Sequence, residues 1–187
     1  LVDEGLIRFE RGRWRAEPGI DRAVVPPTIQ ALLAARLDYL DPDERAVIEP
    51  ASVVGHVFVK EAVTHLAPAR LREDIGQQLG ALTDKQLVLP DRSRSLAEEA
   101  FRFHHIMIRD TAYEGILKRA RATFHEQFVE WADTVNREGA TEYEEILGYH
   151  LEQAHRYLSE LAPLDLHARS RALDAARRLA SAGRRAF

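Results

Sequence analysis

The sequence predicts a mainly α-helical chain: a winged helix-turn-helix with a small β-hairpin, followed by helical pairs in the style of a solenoid. Three observations lead there. Apolar residues recur at three- and four-residue spacing through most of the chain. Two β-type runs, Gln86 to Leu89 and Ala100 to Phe103, flank a polar stretch and follow a series of helical segments, which is the order of a winged helix-turn-helix. From His104 onward the periodicity is helical alone.

Leu1 to Ala16 reads as a helix end and then a hairpin: Gly5 interrupts the helical pattern, Leu6-Ile7-Arg8-Phe9 is strand-like, and Gly12 separates it from Arg13-Trp14-Arg15. Pro26-Pro27-Thr28 opens a helix that places Ile29, Leu32, Leu33, Leu37 and Leu40 on one face, predicted to be a core face. Asp41-Pro42-Asp43-Glu44 supplies an N-cap and an acidic first turn to the next helix. That helix carries Ala46, Val47, Ala51 and Val54, with a kink expected at Pro50 and an end at Gly55. A short helix runs near Val59 to Leu66. After Pro68, the residues Leu71, Ile75, Leu79 and Leu82 mark a further helix. The strand at Gln86-Leu87-Val88-Leu89 is expected to stop at Pro90, and the polar stretch Asp91 to Glu99 leads into the second strand.

Beyond it, Ile108, Ala112 and Ile116 share one helix face, and Phe124, Phe128, Trp131 and Val135 share another. Glu138-Gly139-Ala140-Thr141 breaks the pattern. The following helix puts Tyr143, Ile146, Leu147, His150, Leu151, Ala154, Tyr157 and Leu158 on one broad face, and Pro163 precedes a last helix rich in Ala and Arg.

A length of 187 residues with 45% hydrophobic content suffices for one or two domains with a buried core. The 26 basic and 30 acidic residues leave a net charge of −4, a poor match to a surface that neutralises nucleic-acid phosphates or an anionic membrane. The absence of cysteine excludes disulfides, thiol nucleophiles and thiolate metal sites, and a cytoplasmic protein is expected. No apolar run approaches the ~20 residues of a membrane helix. Both ends read as cut within helical sequence, so the chain is expected to be a piece of a larger protein.

Catalytic motifs are missing. Lys60, Lys85 and Lys118 follow Val59, Asp84 and Leu117, so no glycine-lysine phosphate loop exists, and neither Ser52 nor Ser181 sits between glycines as a hydrolase nucleophile does. This segment is expected not to be an enzyme. His150 and His155 lie five apart, an offset that turns the rings away from each other on a helix, and His125-Glu126 lacks a second histidine one turn on. Structural or surface histidines are expected, and no metal. The helix after Pro68 sets Arg70 and Arg72 against Glu73, Asp74 and Asp84, and the polar loop sets Arg92 and Arg94 against Asp91, Glu98 and Glu99; direct DNA binding is therefore not expected.

The segment Phe101-Arg102-Phe103-His104-His105-Ile106-Met107-Ile108-Arg109-Asp110-Thr111-Ala112-Tyr113 places histidine at a strand-to-helix junction with Arg109 one turn on. One reading is structural: a histidine at a helix start, an Arg109–Asp110 pair on a solvated face and Tyr113 in the core. The other is a phosphate sensor, since helix N-termini favour anions and an imidazole there can donate to a phosphate oxygen from another domain.

Leu1-Val2-Asp3-Glu4-Gly5-Leu6-Ile7, then Val25-Pro26-Pro27-Thr28-Ile29-Gln30-Ala31-Leu32-Leu33-Ala34-Ala35-Arg36-Leu37-Asp38, Ala51-Ser52-Val53-Val54-Gly55, Phe103 to Tyr113, Gly148-Tyr149-His150-Leu151-Glu152-Gln153-Ala154 and Ala182-Gly183-Arg184-Arg185-Ala186-Phe187 resemble, in this order, the signal-transduction ATPases with numerous domains, the STAND family. The likeness spans nearly the whole chain. It is strongest to bacterial proteins in which the ATPase core joins an adenylate/guanylate cyclase domain or a LuxR-type DNA-binding domain, with tetratricopeptide-like repeats following. The resemblance implies that residues 1–40 are the tail of a nucleotide-binding or lid region with its hairpin and linking helix, 41–118 a winged-helix domain, and 119–187 a helical domain leading into the repeats. It implies that Walker motifs precede Leu1, that ATP or ADP with Mg binds there, and that the upstream nucleotide-binding domain is this segment's first partner, with self-association or a protein partner at the last helices. In relatives with a Met-His-Asp motif the histidine approaches the β-phosphate of ADP and holds a closed, inactive state. His105 aligns with that histidine, while His104 and Ile106 depart from the flanking Met and Asp. His105 and Arg109 are thus the candidate nucleotide-sensing residues.

Overall fold

The computed structural model describes residues 7–10, 13–16, 27–91, 99–135, 141–161 and 166–185. The described chain is mainly helical, with a small three-stranded antiparallel sheet and a separate hairpin. In the hairpin, β1 (Ile7–Glu10) pairs antiparallel with β2 (Arg13–Ala16), where the sequence places it. The expected helix end before it, the break before Thr141, the Pro163 connection and most of the polar loop after Asp91 lie outside the described residues.

Helix α1 (Pro27–Asp38) starts at its proline, but only the C-terminal part of the predicted apolar stripe is core. Leu37 and Leu40 are buried and Leu33 packs against their cluster, whereas Ile29 and Leu32 are 44% and 64% exposed. The reason is rotation. α5 (Ile106–Gly115) meets α1 on the flank carrying Gln30, Ala34 and Leu37, one residue round the helix from Ile29 and Leu32.

Helix α2 (Pro42–Val54) begins as the sequence indicates, with Glu44 Oε2 accepting the Asp41 N–H at 2.9 Å. It runs through Pro50 to Gly55, which adopts φ 154° and takes the chain out of the helix.

In the larger sheet two strands are expected and three are found. β3 (Val57–Val59), at three residues too short to display alternation, precedes α3 (Lys60–Leu66) and pairs with β5 (Ala100–Phe103), Phe58 facing Phe101. A 3₁₀ turn at Ala69–Leu71 precedes α4 (Ile75–Asp84), and Leu71, Ile75, Leu79 and Leu82 are all buried, as their spacing predicts. The strand beyond starts later and ends later than expected. Gln86 takes a left-handed φ of 55°, so β4 is Val88–Asp91, with Pro90 inside it opposite Phe101. Proline is accommodated because the order β3-β5-β4 leaves β4 at the sheet edge.

One core cluster joins α1 to α5 through residues such as Val47, Ile48, Phe58, Leu79, Phe103 and Ile108. A second brings α6 (Lys118–Val135), α7 (Thr141–Leu161) and α8 (Leu166–Arg185) onto Val59, Ala62, Leu66 and Ala100 through Phe128, Val129, Leu147 and Ala175. Val135 and Ile146 sit at the edges of their predicted faces and are 55% and 46% exposed. Helix α8 is held to α6 by Arg178, whose two terminal nitrogens donate to the Asp133 carboxylate at 2.9 and 2.8 Å.

Candidate functional site

Strand β5 hands directly over to α5. The His104 N–H donates to the Leu87 carbonyl at 2.9 Å, and the next residue, His105, is the N-cap in an extended conformation. Its Nδ1 accepts the Met107 N–H at 3.2 Å, satisfying one orphan donor of the first turn. An Nδ1 that accepts leaves the proton of the neutral ring on Nε2. His105 is exposed, so a donor N–H stands at the positive end of a helix.

Arg109 has a different setting. Its Nε donates to the Ser52 carbonyl at 2.7 Å, capping one of the carbonyls left open at the C-terminal end of α2, and Nη1 donates to Asp110 Oδ1 at 3.0 Å. The guanidinium also lies 4.8 Å from the centroid of the Tyr113 ring. The Arg109–Asp110 pair of the sequence reading is present, but Arg109 is largely enclosed, at 21% side-chain exposure. A cavity of about 240 Å³ between α1 and α5, lined by Gln30, Met107, Arg109, Asp110 and Glu114 among others, opens beside it.

A second constellation lies where α5, α6 and α7 meet. His125 on α6 and His150 on α7 are 0% and 3% exposed, and their Nδ1 atoms are 2.8 Å apart. His125 Nε2 lies 2.9 Å from the Tyr113 hydroxyl, which lies 3.0 Å from the Tyr157 hydroxyl. The His150 ring stacks on Phe128 at 4.2 Å. Arg121 closes over this group: its guanidinium sits above Tyr113 and Tyr157 at 4.8 and 5.4 Å, and it donates to the carbonyls of Ile116 and Glu114 at the end of α5. Burial, together with the charges of His150 and Arg109, pushes His125 down to about 2; burial and Arg109 push His150 down to about 3. Both rings are neutral near pH 7.

The pairing of His125 with His150 across two helices is absent from the sequence expectations, which set His150 beside His155 on one helix and His125 beside its own neighbours. A signal was there. His150 stands within the apolar face Leu147, Leu151 and Ala154, and His125 takes the same kind of position between Ala122 and Val129. A polar ring on a core stripe needs a partner from another element. Among the described residues no group of three or more His, Cys, Asp or Glu could hold a metal ion, and no helix is long and apolar enough to cross a membrane.

No family model, curated protein or solved structure matches this chain.

Proposed function

We propose that this chain is a non-catalytic regulatory segment of a multidomain cytoplasmic signalling ATPase, in which a winged helix couples the nucleotide state of an upstream domain to oligomerisation or to an output domain. The observation that carries the reading is His105. It caps α5 through Nδ1 and so keeps Nε2–H for an anion arriving at an exposed helix start, the geometry a phosphate contact requires. The sequence α2, β3, α3, α4, β4, β5, with its antiparallel sheet, supports the winged-helix assignment, and the consecutive packing of α6, α7 and α8 supports the tetratricopeptide-like one. The nucleotide would be ADP or ATP with Mg, held by Walker motifs outside this chain, and the output a cyclase or LuxR-type domain.

In this mechanism His105 donates to a phosphate oxygen of ADP in the closed state and loses that contact on exchange for ATP. Arg109 is the positioning member: by tying α5 to the end of α2 it sets where the helix start points. One charge-assisted hydrogen bond of ~1.5–3 kcal/mol biases such an equilibrium ten- to a hundredfold. The test is the rate of ADP release from the full-length ATPase. His105→Ala is expected to speed release by about tenfold or more, and an unchanged rate would sink the sensor role.

The exposed Ile146, Tyr149 and Leu173 on α7 and α8, at 46%, 45% and 60%, favour a second reading, an interaction scaffold at the C-terminal helices. Sedimentation of the full-length protein with and without residues 141–187 separates the two, because a scaffold loses assembly in every nucleotide state.

A further inference from the structure

Tyr113, which is half-buried, and the buried His125, His150 and Tyr157 have no part in the proposed nucleotide contact. Their hydrogen bonds form one chain across three helices, from Tyr157 through Tyr113 and His125 to His150. Only one hydrogen fits between two Nδ1 atoms 2.8 Å apart, so one ring donates there and the other accepts. If His125 donates at Nδ1, its Nε2 takes the Tyr113 hydroxyl proton; if it accepts, its Nε2–H donates to that hydroxyl. In both arrangements neutral rings satisfy the interior bonds.

An added proton changes this. Doubly protonated His125 could still donate to His150 and to Tyr113, but the charges that bear on it among the described residues are those of His150 and of Arg109, Arg121 and Arg156, all of the same sign. The groups that face the pair are Arg109 and Tyr113 from α5, Arg121 from α6, and Tyr149, Arg156 and Tyr157 from α7. The elements α2, α3 and α8, also packed on α6 or α7, meet them through the apolar cluster that includes Val54, Ala62, Leu66 and Ala175, and through the Arg178–Asp133 pair two turns along α6. Three guanidiniums and apolar walls repel a cation. A second proton would set two N–H groups against each other.

We propose that the joint between α6 and α7 is a proton-operated latch: when the His125–His150 pair takes up a proton, α7 and α8 come away from α6 while the part built around the three-stranded sheet stays folded. The division follows from the cores. The cluster that joins α1 to α5 includes no residue of α6, α7 or α8, so it survives the loss of the α6–α7 contact. The second cluster depends on Leu147 and Leu151, which flank His150 on α7. Because Tyr113 belongs to both the hydrogen-bond chain and α5, opening also removes one tether of the helix that His105 caps, which Ile108, Ala112 and Arg109 keep in place.

Once released, each imidazole is solvated and recovers an ordinary pKa of ~6.5. Lowering the pH from 7.5 to 5.0 then favours the open state by about thirtyfold for each histidine released. The experiment is hydrogen exchange of the 187-residue chain at the two pH values, resolved by segment and corrected for the intrinsic pH dependence of exchange. Amides of α7 and α8 are expected to lose protection by about thirtyfold or more at pH 5.0, with the β3-β5-β4 sheet and α4 unchanged. The paired variant His125→Phe/His150→Phe, which keeps the ring stacking on Phe128, is expected to abolish that response. If the double variant does not fold at pH 7.5, His150→Gln serves in its place; His125 still titrates there, so the response is expected to shrink to that of one histidine, about thirtyfold, and to fall below that of the wild type. Protection of α7 and α8 that is the same at both pH values overturns the latch. So does a uniform loss across sheet and helices, or a wild-type response in the variant.

Discussion

At the residue scale, Arg109 and His105 do different work although they stand four apart on one helix. Arg109→Ala removes a charged donor from the Ser52 carbonyl and is expected to destabilise the chain by about 2 kcal/mol in urea denaturation. His105→Ala removes a single exposed cap contact and is expected to cost less than about 1 kcal/mol. A loss for His105→Ala as large as that for Arg109→Ala would make His105 a structural residue. Tyr113→Phe strips the hydroxyl between His125 and Tyr157 and leaves a buried ring nitrogen unpaired, an expected loss of ~1–3 kcal/mol. The buried histidines set the pH dependence. Their folded pKa values, about 2 and about 3, lie below the ~6.5 of a solvated imidazole, so the unfolded chain takes up protons first as the pH falls. Their contribution is complete above pH ~6.5 and is lost from there toward pH 3, at ~1.4 kcal/mol per pH unit per histidine. The urea midpoint is expected to fall between pH 7.5 and 5.0, and a flat profile would contradict the burial of two neutral rings. The cap position of His105 was legible as a strand-to-helix junction. The His125–His150 pair was not, because its partners are 25 residues apart and meet only through tertiary packing.

At the scale of elements, spacing marked the helices well where one face is buried along its length, as in α4, and less well where the neighbour packs on a flank beside the apolar stripe, as α5 does on α1. Strand β3 escaped because three residues carry no period, and Pro90 misled because its penalty applies to central strands and not to an edge. Two glycines mark tight element geometry. At Gly55, φ 154° is a conformation that side chains avoid, and a Cβ would stand 3.3 Å from the Val57 carbonyl; Gly55→Ala is expected to cost ~1–3 kcal/mol. Gly148 lets α7 approach α8 so closely that a Cβ there would lie 2.7 Å from Leu179 Cγ and 3.2 Å from its backbone nitrogen. Gly148→Val is expected to pry α8 loose, lowering stability by ~1–3 kcal/mol and raising exchange in α8 above that in α4. Equal exchange in both helices would show that the contact is dispensable.

At the scale of the whole molecule, the chain carries two apolar clusters that meet at Val54, with a polar group between α5, α6 and α7 beside them. The cluster around the sheet holds α5 and its cap, the second holds the C-terminal helices, and Tyr113, Arg121 and the histidine pair join them. Such a layout suits a segment that passes a state from one end to the other, and the state we propose is that of a nucleotide bound upstream. The most direct test is calorimetry with ADP and with ATP on a protein extended upstream through the proposed nucleotide domain, with and without His105→Ala. The expected result is ADP affinity reduced about ten- to a hundredfold by the substitution, with ATP affinity unchanged. ADP affinity that does not move would contradict a nucleotide-sensing role for His105 and leave this segment a structural spacer and interaction surface.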